Sequence, residues 1–210
     1  MPIEPEDLNA CKPDCLTGAA IEEKAETVAI GKVKTEGPRC FALAVMAGMF
    51  VSLGAIFMII VRSDSSLGFA GQQVLGGICF SLGLICVVVA GAELFTGNSL
   101  MICATASGRI NVGALLKNWL IVYLGNLVGS LLMVFLVFAA DTSSLNGGEV
   151  GNTMITLATS KIDLEWYTIF ARGILCNVLV CLAVWMGFAG RTVIDKIFTC
   201  MWPVMAFCAC

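Results

Sequence analysis

The chain has 210 residues, of which 59% are hydrophobic and 13% are charged, and its mean hydropathy is +0.93. Soluble globular domains carry about 25% charged residues, so this composition excludes a soluble enzyme or nucleic-acid-binding domain and predicts an all-α polytopic membrane protein. The formal net charge of -3 is too small to indicate a particular partner.

The first 36 residues are polar and acidic and lack the apolar core of a cleavable signal peptide. Residues 1–16 contain three prolines, and we expect them to be mobile. Thr17 to Lys34 can form an amphipathic helix with Glu22, Glu23 and Glu26 on its polar face, lying on the membrane surface or capping the inner mouth. The sequence therefore predicts an N-terminal tail over residues 1–39 and a transmembrane domain over residues 40–210.

The first predicted span runs from Cys40 to Val61 and contains 22 residues without a charge. Small residues recur at every fourth position along it, at Ala44, Gly48 and Ser52. Such a face allows a neighbouring helix to approach closely. A polar loop from Arg62 to Gln73 is expected to follow on the outer side.

The next apolar run, Leu75 to Ser107, is too long for one upright crossing. Its 33 residues would make a helix of roughly 50 Å, whereas the hydrocarbon core of a bilayer is about 30 Å thick. Glu93 lies near its centre, where an ionisable side chain is costly unless it faces protein or a cavity. The length and the charge together predict that this helix is broken.

We expect the break to follow Gly91. A short loop then carries Phe95 and Thr96, and Asn98 or Ser99 caps the second half of the helix. Irregular backbone at membrane depth is tolerated only where protein buries it or where it lines an aqueous path. The break therefore predicts a pore or a binding site, around which the other segments pack.

A further span is expected from Asn118 to Ala140, entered from Val112. It contains Gly125 and Gly129 at the four-residue spacing of a helix-contact motif. The segment from Asp141 to Ser160 is rich in Gly, Ser and Asn, which predicts a loop on the outer side.

The last predicted span begins at Asp163 and ends at Gly190, with Ala183 and Gly187 as a second small-residue face. The final apolar stretch, Ile197 to Cys210, has only 14 residues and is shorter than a span. We interpret it as a half-helix whose partner is missing from this sequence.

The basic residues divide unevenly between the two sides of these spans. Nine lie on the side of the N-terminus and three on the other side, which predicts a cytoplasmic N-terminus by the positive-inside rule. The first group comprises Lys12, Lys24, Lys32, Lys34, Arg39, Arg109, Lys117, Arg191 and Lys196, and the second comprises Arg62, Lys161 and Arg172.

Most of the eleven cysteines lie inside apolar segments, where a thiol behaves as a small hydrophobic group. The sequence contains neither a Cys-x-x-Cys motif nor a histidine, so we predict no metal site and no cofactor. Cys11 and Cys15 in the tail could bind a metal or pair, but two thiols alone favour an ordinary reduced tail.

Seven blocks of sequence carry a family resemblance. They are Gly91-Ala-Glu-Leu-Phe-Thr-Gly-Asn98, Gly108-Arg109, Lys117-Asn-Trp119, Tyr123-Leu-Gly-Asn126, Asn177 with Val180-Cys-Leu-Ala-Val-Trp185, Gly190-Arg191 and Asp195-Lys196. Over about residues 20–210 the sequence resembles the formate/nitrite transporter family, and its formate channel branch most. The resemblance implies an aquaporin-like fold of two inverted three-helix repeats, with broken second and fifth helices and a pore in each protomer of a homopentamer.

The resemblance also implies a substrate path. Thr96 resembles the loop threonine that faces the pore centre, Lys161 a lysine near the outer part of the path, and Asn177 a pore residue of the fourth span. Lys161 would raise the local anion concentration through its field. Thr96 would donate a hydrogen bond, and a half-helix starting at Gly97 would present free N–H groups to an anion.

A hydrophobic constriction is implied as well, and it would exclude hydrated ions. Its residues would be Phe80, Leu84, Val180 and Phe207, although periodicity alone makes these core residues. Glu93, Gly97 and Asn98 would support the loop, with the Glu93 carboxylate accepting loop N–H groups. The family's second helix break, with the histidine that protonates the anion, and its sixth span are missing from this sequence, so the second repeat is incomplete.

The implied function is a passive or proton-linked channel for small monovalent anions of weak acids in the bacterial inner membrane. Formate is the first candidate, and nitrite and hydrosulfide follow. An aquaporin would show two Asn-Pro-Ala motifs, and the sequence has none. A membrane thiol oxidoreductase would use the cysteines, and replacing all of them with Ser or Ala would test that alternative.

Overall fold

Helices make up nearly all of the described structure. The computed structural model describes residues 15–209, and no strand occurs in this range. In chain order the helices are α1 (Gly18–Lys34), α2 (Gly37–Arg62), α3 (Phe69–Ala90), α4 (Phe95–Asn98), α5 (Met101–Ala106), α6 (Val112–Ala139), a 3₁₀-helix (Thr142–Gly148), α7 (Glu149–Ile162), α8 (Trp166–Ala189) and α9 (Val193–Ala209). The prediction of an all-α chain is confirmed, while those for residues 1–14, including Cys11, fall outside the described residues.

Four helices, α2, α3, α6 and α8, are long and apolar enough to cross a membrane. The protein is therefore a multi-pass membrane protein. The order of a short helix followed by two apolar helices occurs twice, as α1–α2–α3 and as α7–α8–α9. This order agrees with the two repeats that the sequence predicts, and α9 continues to Ala209, the last described residue.

Small residues allow α2 and α6 to pack closely, as their spacing predicts. A Cβ atom added at Gly125 would lie 2.5 Å from the Cβ of Ala44, and one added at Gly129 would overlap the carbonyl oxygen of Val45. In the other direction, a Cβ at Gly48 would overlap the carbonyl oxygen of Asn126. The two helices can approach this closely only because glycine occupies these positions.

Replacing Gly129 with alanine is expected to lower the free energy of unfolding by about 2 kcal/mol, because the added methyl group forces α2 and α6 apart. Gly173→Ala in α8 is the matched control, since a Cβ there meets nothing within 4 Å. Thermal unfolding in detergent measures both variants. Equal melting temperatures for the two would contradict this account of the α2–α6 contact.

The predicted amphipathic helix is present as α1, but one of its acidic residues was placed wrongly. Ala25 and Ala29 are buried. Glu26 is buried too, with 5% of its surface exposed, and its Oε2 lies 2.8 Å from Nε of Arg109. Because of this ion pair, the Glu26 side chain lies against the turn after α5 and does not face water.

The prediction of a loop over Asp141 to Ser160 was wrong. Gly147 and Gly148 adopt positive φ angles of 64° and 94°, which glycine adopts without strain, and α7 begins directly after them. Val150 in its first turn is fully buried. Lys161 consequently lies in the last turn of a helix and not in a loop.

Candidate functional site

The predicted break in the second span is present. α3 ends at Ala90, and Gly91 caps it in the left-handed conformation with φ 71°. The short helix α4 begins at Phe95, so Phe95 and Thr96 lie in its first turn and not in a loop. The predicted cap was also wrong, because Asn98 lies inside α4, Ser99 is its C-cap, and Leu100 is the N-cap of the second half, α5.

Asn98 has a different role from the predicted one. Its side chain is 1% exposed, and Nδ2 donates to Oε2 of Glu93 at 2.8 Å and to Oδ1 of Asn118 at 2.9 Å. Its Oδ1 accepts a hydrogen bond from Nζ of Lys32 at 2.9 Å. Asn98 thus joins α1, the break and α6 in one polar network.

Glu93 is buried, and its side-chain partners differ from the loop N–H groups that the sequence predicts. Oε2 lies 2.6 Å from Nζ of Lys32 and also accepts from Asn98. We call Lys32, Glu93, Asn98 and Asn118 the break network. Its ion pair offsets the cost of placing a carboxylate at membrane depth.

Asn126 in α6 satisfies the backbone at the start of α4. Its Oδ1 accepts from the N–H of Phe95 at 2.9 Å, and its Nδ2 donates to the carbonyl oxygens of Ala44 at 2.8 Å and Glu93 at 2.9 Å. Sequence reasoning assigned no role to Asn126 or to Lys32. The signal for Asn126 was available, because a polar amide in an apolar span is expected to bond to a neighbouring helix.

Trp119 is expected to contribute about 1 kcal/mol to stability through one hydrogen bond. Its indole Nε1 donates to the carbonyl oxygen of Asn98 at 3.0 Å. Trp119→Phe removes this donor, whereas Trp166→Phe alters a side chain that is 76% exposed. Melting temperatures of the two variants check the prediction, and an equal effect of both would contradict it.

The four predicted constriction residues lie together, between α3, α8 and α9. Leu84 and Val180 are buried in one apolar cluster, and Phe80 packs against that cluster. The rings of Phe80 and Phe207 have centroids 5.6 Å apart. This cluster is continuous from α3 to the last turn of the described α9. We call it the apolar constriction after the role that the family resemblance implies, and that role stays a prediction.

Thr96 lies beside α8. Its carbonyl oxygen accepts a hydrogen bond from Sγ of Cys181 at 3.6 Å. A Cβ added at the neighbouring Gly97 would make only an ordinary van der Waals contact, 3.6 Å from Cγ2 of Val184, so this approach does not require a glycine. The N–H groups of Asn98 and the two following residues bond to backbone carbonyls. They are therefore not free to bind an anion, contrary to the prediction.

Two predicted path residues stand apart from the break. Asn177 is on an open face of α8, and its Nδ2 donates to the carbonyl oxygen of Gly173 in its own helix at 3.0 Å. It does not bond another helix within the described residues. Lys161 is exposed in the last turn of α7.

A cavity of about 350 Å³ lies between α1, the end of α3, the break and α8. Leu84 lines it on the side of the apolar constriction, and Lys32, Glu93 and Asn98 line it on the side of α1. Gly97 contributes to its wall. The break network and the constriction thus border the same space, which we call the inner cavity.

Comparison with known proteins agrees with this architecture. A family model described as formate/nitrite transporter matches residues 19–210. The chain belongs to this family. The formate channel FocA of Escherichia coli K12 is 42% identical over 197 residues, an alignment that covers 93% of this chain and 69% of that protein.

Two solved structures of this family have the same fold. One, described as a pentameric formate channel with formate bound, has a TM-score of 0.77 and 38% identity, and covers 81% of this chain and 68% of its own. The other, an FNT family ion channel, has a TM-score of 0.81 and 28% identity. The alignment covers 91% of this chain and 76% of that channel's chain. Membership in a transporter family favours the predicted transport function over the aquaporin and thiol oxidoreductase alternatives.

Proposed function

We propose that this protein is a channel for small monovalent anions of weak acids, with formate as the first substrate and nitrite or hydrosulfide as alternatives. One observation carries the proposal: the apolar constriction borders the inner cavity at Leu84, directly beside the helix break. The similarity to formate channels over 93% of the chain supports formate as substrate.

The proposed path passes through three zones. On the outer side, Lys161 attracts the anion through its positive field. The apolar constriction of Phe80, Leu84, Val180 and Phe207 then disfavours any charged or hydrated species, because its side chains offer no hydrogen bonds to replace water. A weak acid crosses it most easily in the protonated, neutral form. Beyond Leu84 the solute enters the inner cavity.

Thr96 and Asn177 are the polar path residues of this proposal. Thr96 sits where α4 meets α8, and Asn177 lies one helical turn from Cys181, which bonds to Thr96. Glu93, Gly97 and Asn98 hold the break in place and do not contact the solute in this scheme. Lys32 is neutralised by Glu93, so it does not trap the anion in the inner cavity.

We also propose that the chain lies in the bacterial inner membrane with its N-terminus in the cytoplasm and assembles as a homopentamer. The distribution of basic residues supports the orientation, and the pentameric relative supports the assembly. Residues 1–39 would then form the cytoplasmic segment and residues 40–210 the channel domain. The contact of α1 with the break through Lys32 supports a role for that segment at the inner mouth.

Thr96→Val is expected to reduce formate uptake into proteoliposomes roughly fivefold, because the loss of one hydrogen bond to the solute costs about 1 kcal/mol. Thr96→Ser keeps the hydroxyl and is the matched control. The melting temperature should change little in both variants, since no hydrogen bond of the Thr96 side chain holds the described fold together. Normal uptake by Thr96→Val would remove Thr96 from the path.

A further inference from the structure

Three cationic residues lie at the turn between α8 and α9, and one of them comes from a distant part of the sequence. Lys24 of α1 donates through Nζ to the carbonyl oxygen of Phe188 at 2.8 Å, so its ammonium group lies at the C-terminal end of α8. Arg191 follows in the turn, and Lys196 lies in the first turns of α9. We call Lys24, Arg191 and Lys196 the cationic cluster.

Among residues 15–209, the carboxylate of Asp195 lies within this cluster. Asp195 accepts hydrogen bonds at 2.9 Å from the N–H groups of Arg191 and Thr192, so it is directed at the backbone of the turn. The four side chains together carry a net positive charge. Burial and the neighbouring charges of Lys196 and Arg191 lower the pKa of Lys24 below its usual value.

An exposed apolar stripe rises from the cluster along α9. Ile194, Phe198 and Trp202 follow one another at four-residue intervals, and they are 65%, 56% and 61% exposed. The opposite side of α9 is covered, because Cys200 is buried and Met205 packs against Gly77 of α3. The stripe therefore faces away from the rest of the described structure.

We propose that the cationic cluster and the stripe together bind one anionic phospholipid, with its phosphate at the cluster and an acyl chain along the stripe. Charge complementarity favours this occupant over a second protein chain, because an apolar helix face alone would suit either. The dimensions agree as well. Arg191 and Trp202 are 11 residues apart, or roughly 16 Å along a helix, and one leaflet of the hydrocarbon core is about 15 Å thick.

The test uses the purified protein in phosphatidylcholine vesicles that contain brominated phosphatidylglycerol or brominated phosphatidylcholine at equal mole fraction. Bromine quenches Trp202 fluorescence, and the Trp202→Phe variant identifies its share of the signal. We expect phosphatidylglycerol to be preferred at this position roughly tenfold, since each basic residue near the surface contributes appreciably. The Arg191→Gln and Lys196→Gln double variant leaves Lys24 and its bond to Phe188 in place and should reduce the ratio to about one.

A Lys34→Gln and Lys117→Gln double variant is the control. It removes the same charge from exposed residues outside the cluster and should keep the preference. Three outcomes would overturn the proposal: equal quenching by both lipids in the native protein, an unchanged preference in the cluster variant, or no quenching of Trp202, which would mean that protein covers the stripe. Loss of the preference on adding glycerol phosphate at constant ionic strength would assign the cluster to a soluble phosphate and would also overturn it.

Discussion

Replacing Lys32 with methionine is expected to lower the free energy of unfolding by about 3 kcal/mol, because Glu93 then remains buried without a counter-charge. Glu93 is only 6% exposed and depends on Lys32 and Asn98 for its hydrogen bonds. In a chain of this length such a loss corresponds to a decrease in melting temperature of roughly 10 °C. Formate uptake should fall with it, since the break network borders the inner cavity.

The double variant Lys32→Met with Glu93→Gln separates the ion pair from packing. A neutral glutamine still accepts the hydrogen bond from Asn98, so most of the lost stability should return. Lys34→Met is the matched control, because Lys34 is exposed. If the double variant were as unstable as Lys32→Met, the buried charge would not be the cause and this account of the break would be wrong.

Replacing Phe80 with alanine is expected to increase glycerol permeability more than tenfold while formate uptake continues. Phe80 forms the ring contact with Phe207 and packs against Leu84 and Val180, so its removal opens the constriction. A wider opening can keep water around the solute, and the barrier to hydrated and larger solutes then falls. Stopped-flow light scattering on proteoliposomes measures the change.

Phe138→Ala is the control for this experiment, because Phe138 is 83% exposed on α6. It should leave both permeabilities unchanged. Unaltered glycerol exclusion by Phe80→Ala would show that Phe80 is an ordinary core residue, which is what periodicity alone predicts for it.

The spans and the break could be predicted from sequence because each has a physical cause that acts locally. An apolar run longer than a bilayer with Glu93 at its centre requires a break, and glycines at four-residue spacing predict the α2–α6 contact. The family resemblance added the constriction, whose members lie far apart in sequence. No local pattern would bring Phe80 and Phe207 together.

The details of the site were less accessible because they depend on partners distant in sequence. Asn98 is a reasonable N-cap by residue type. Its buried side chain instead forms hydrogen bonds with Lys32, Glu93 and Asn118. The helical pattern of α1 alone predicts Glu26 on the polar surface, because its partner Arg109 is distant in sequence. The segment from Asp141 to Ser160 was predicted to be a loop because its glycine, serine and asparagine residues conceal the helical period of α7.

Stopped-flow uptake into proteoliposomes tests the central claim most directly. Formate, nitrite, hydrosulfide and glycerol would be supplied in turn to vesicles that contain this 210-residue chain or the longest available form of the protein. The account predicts uptake of formate, with the other weak-acid anions slower and glycerol excluded. Uptake of glycerol without uptake of any anion by either form would contradict it and leave a channel for neutral solutes.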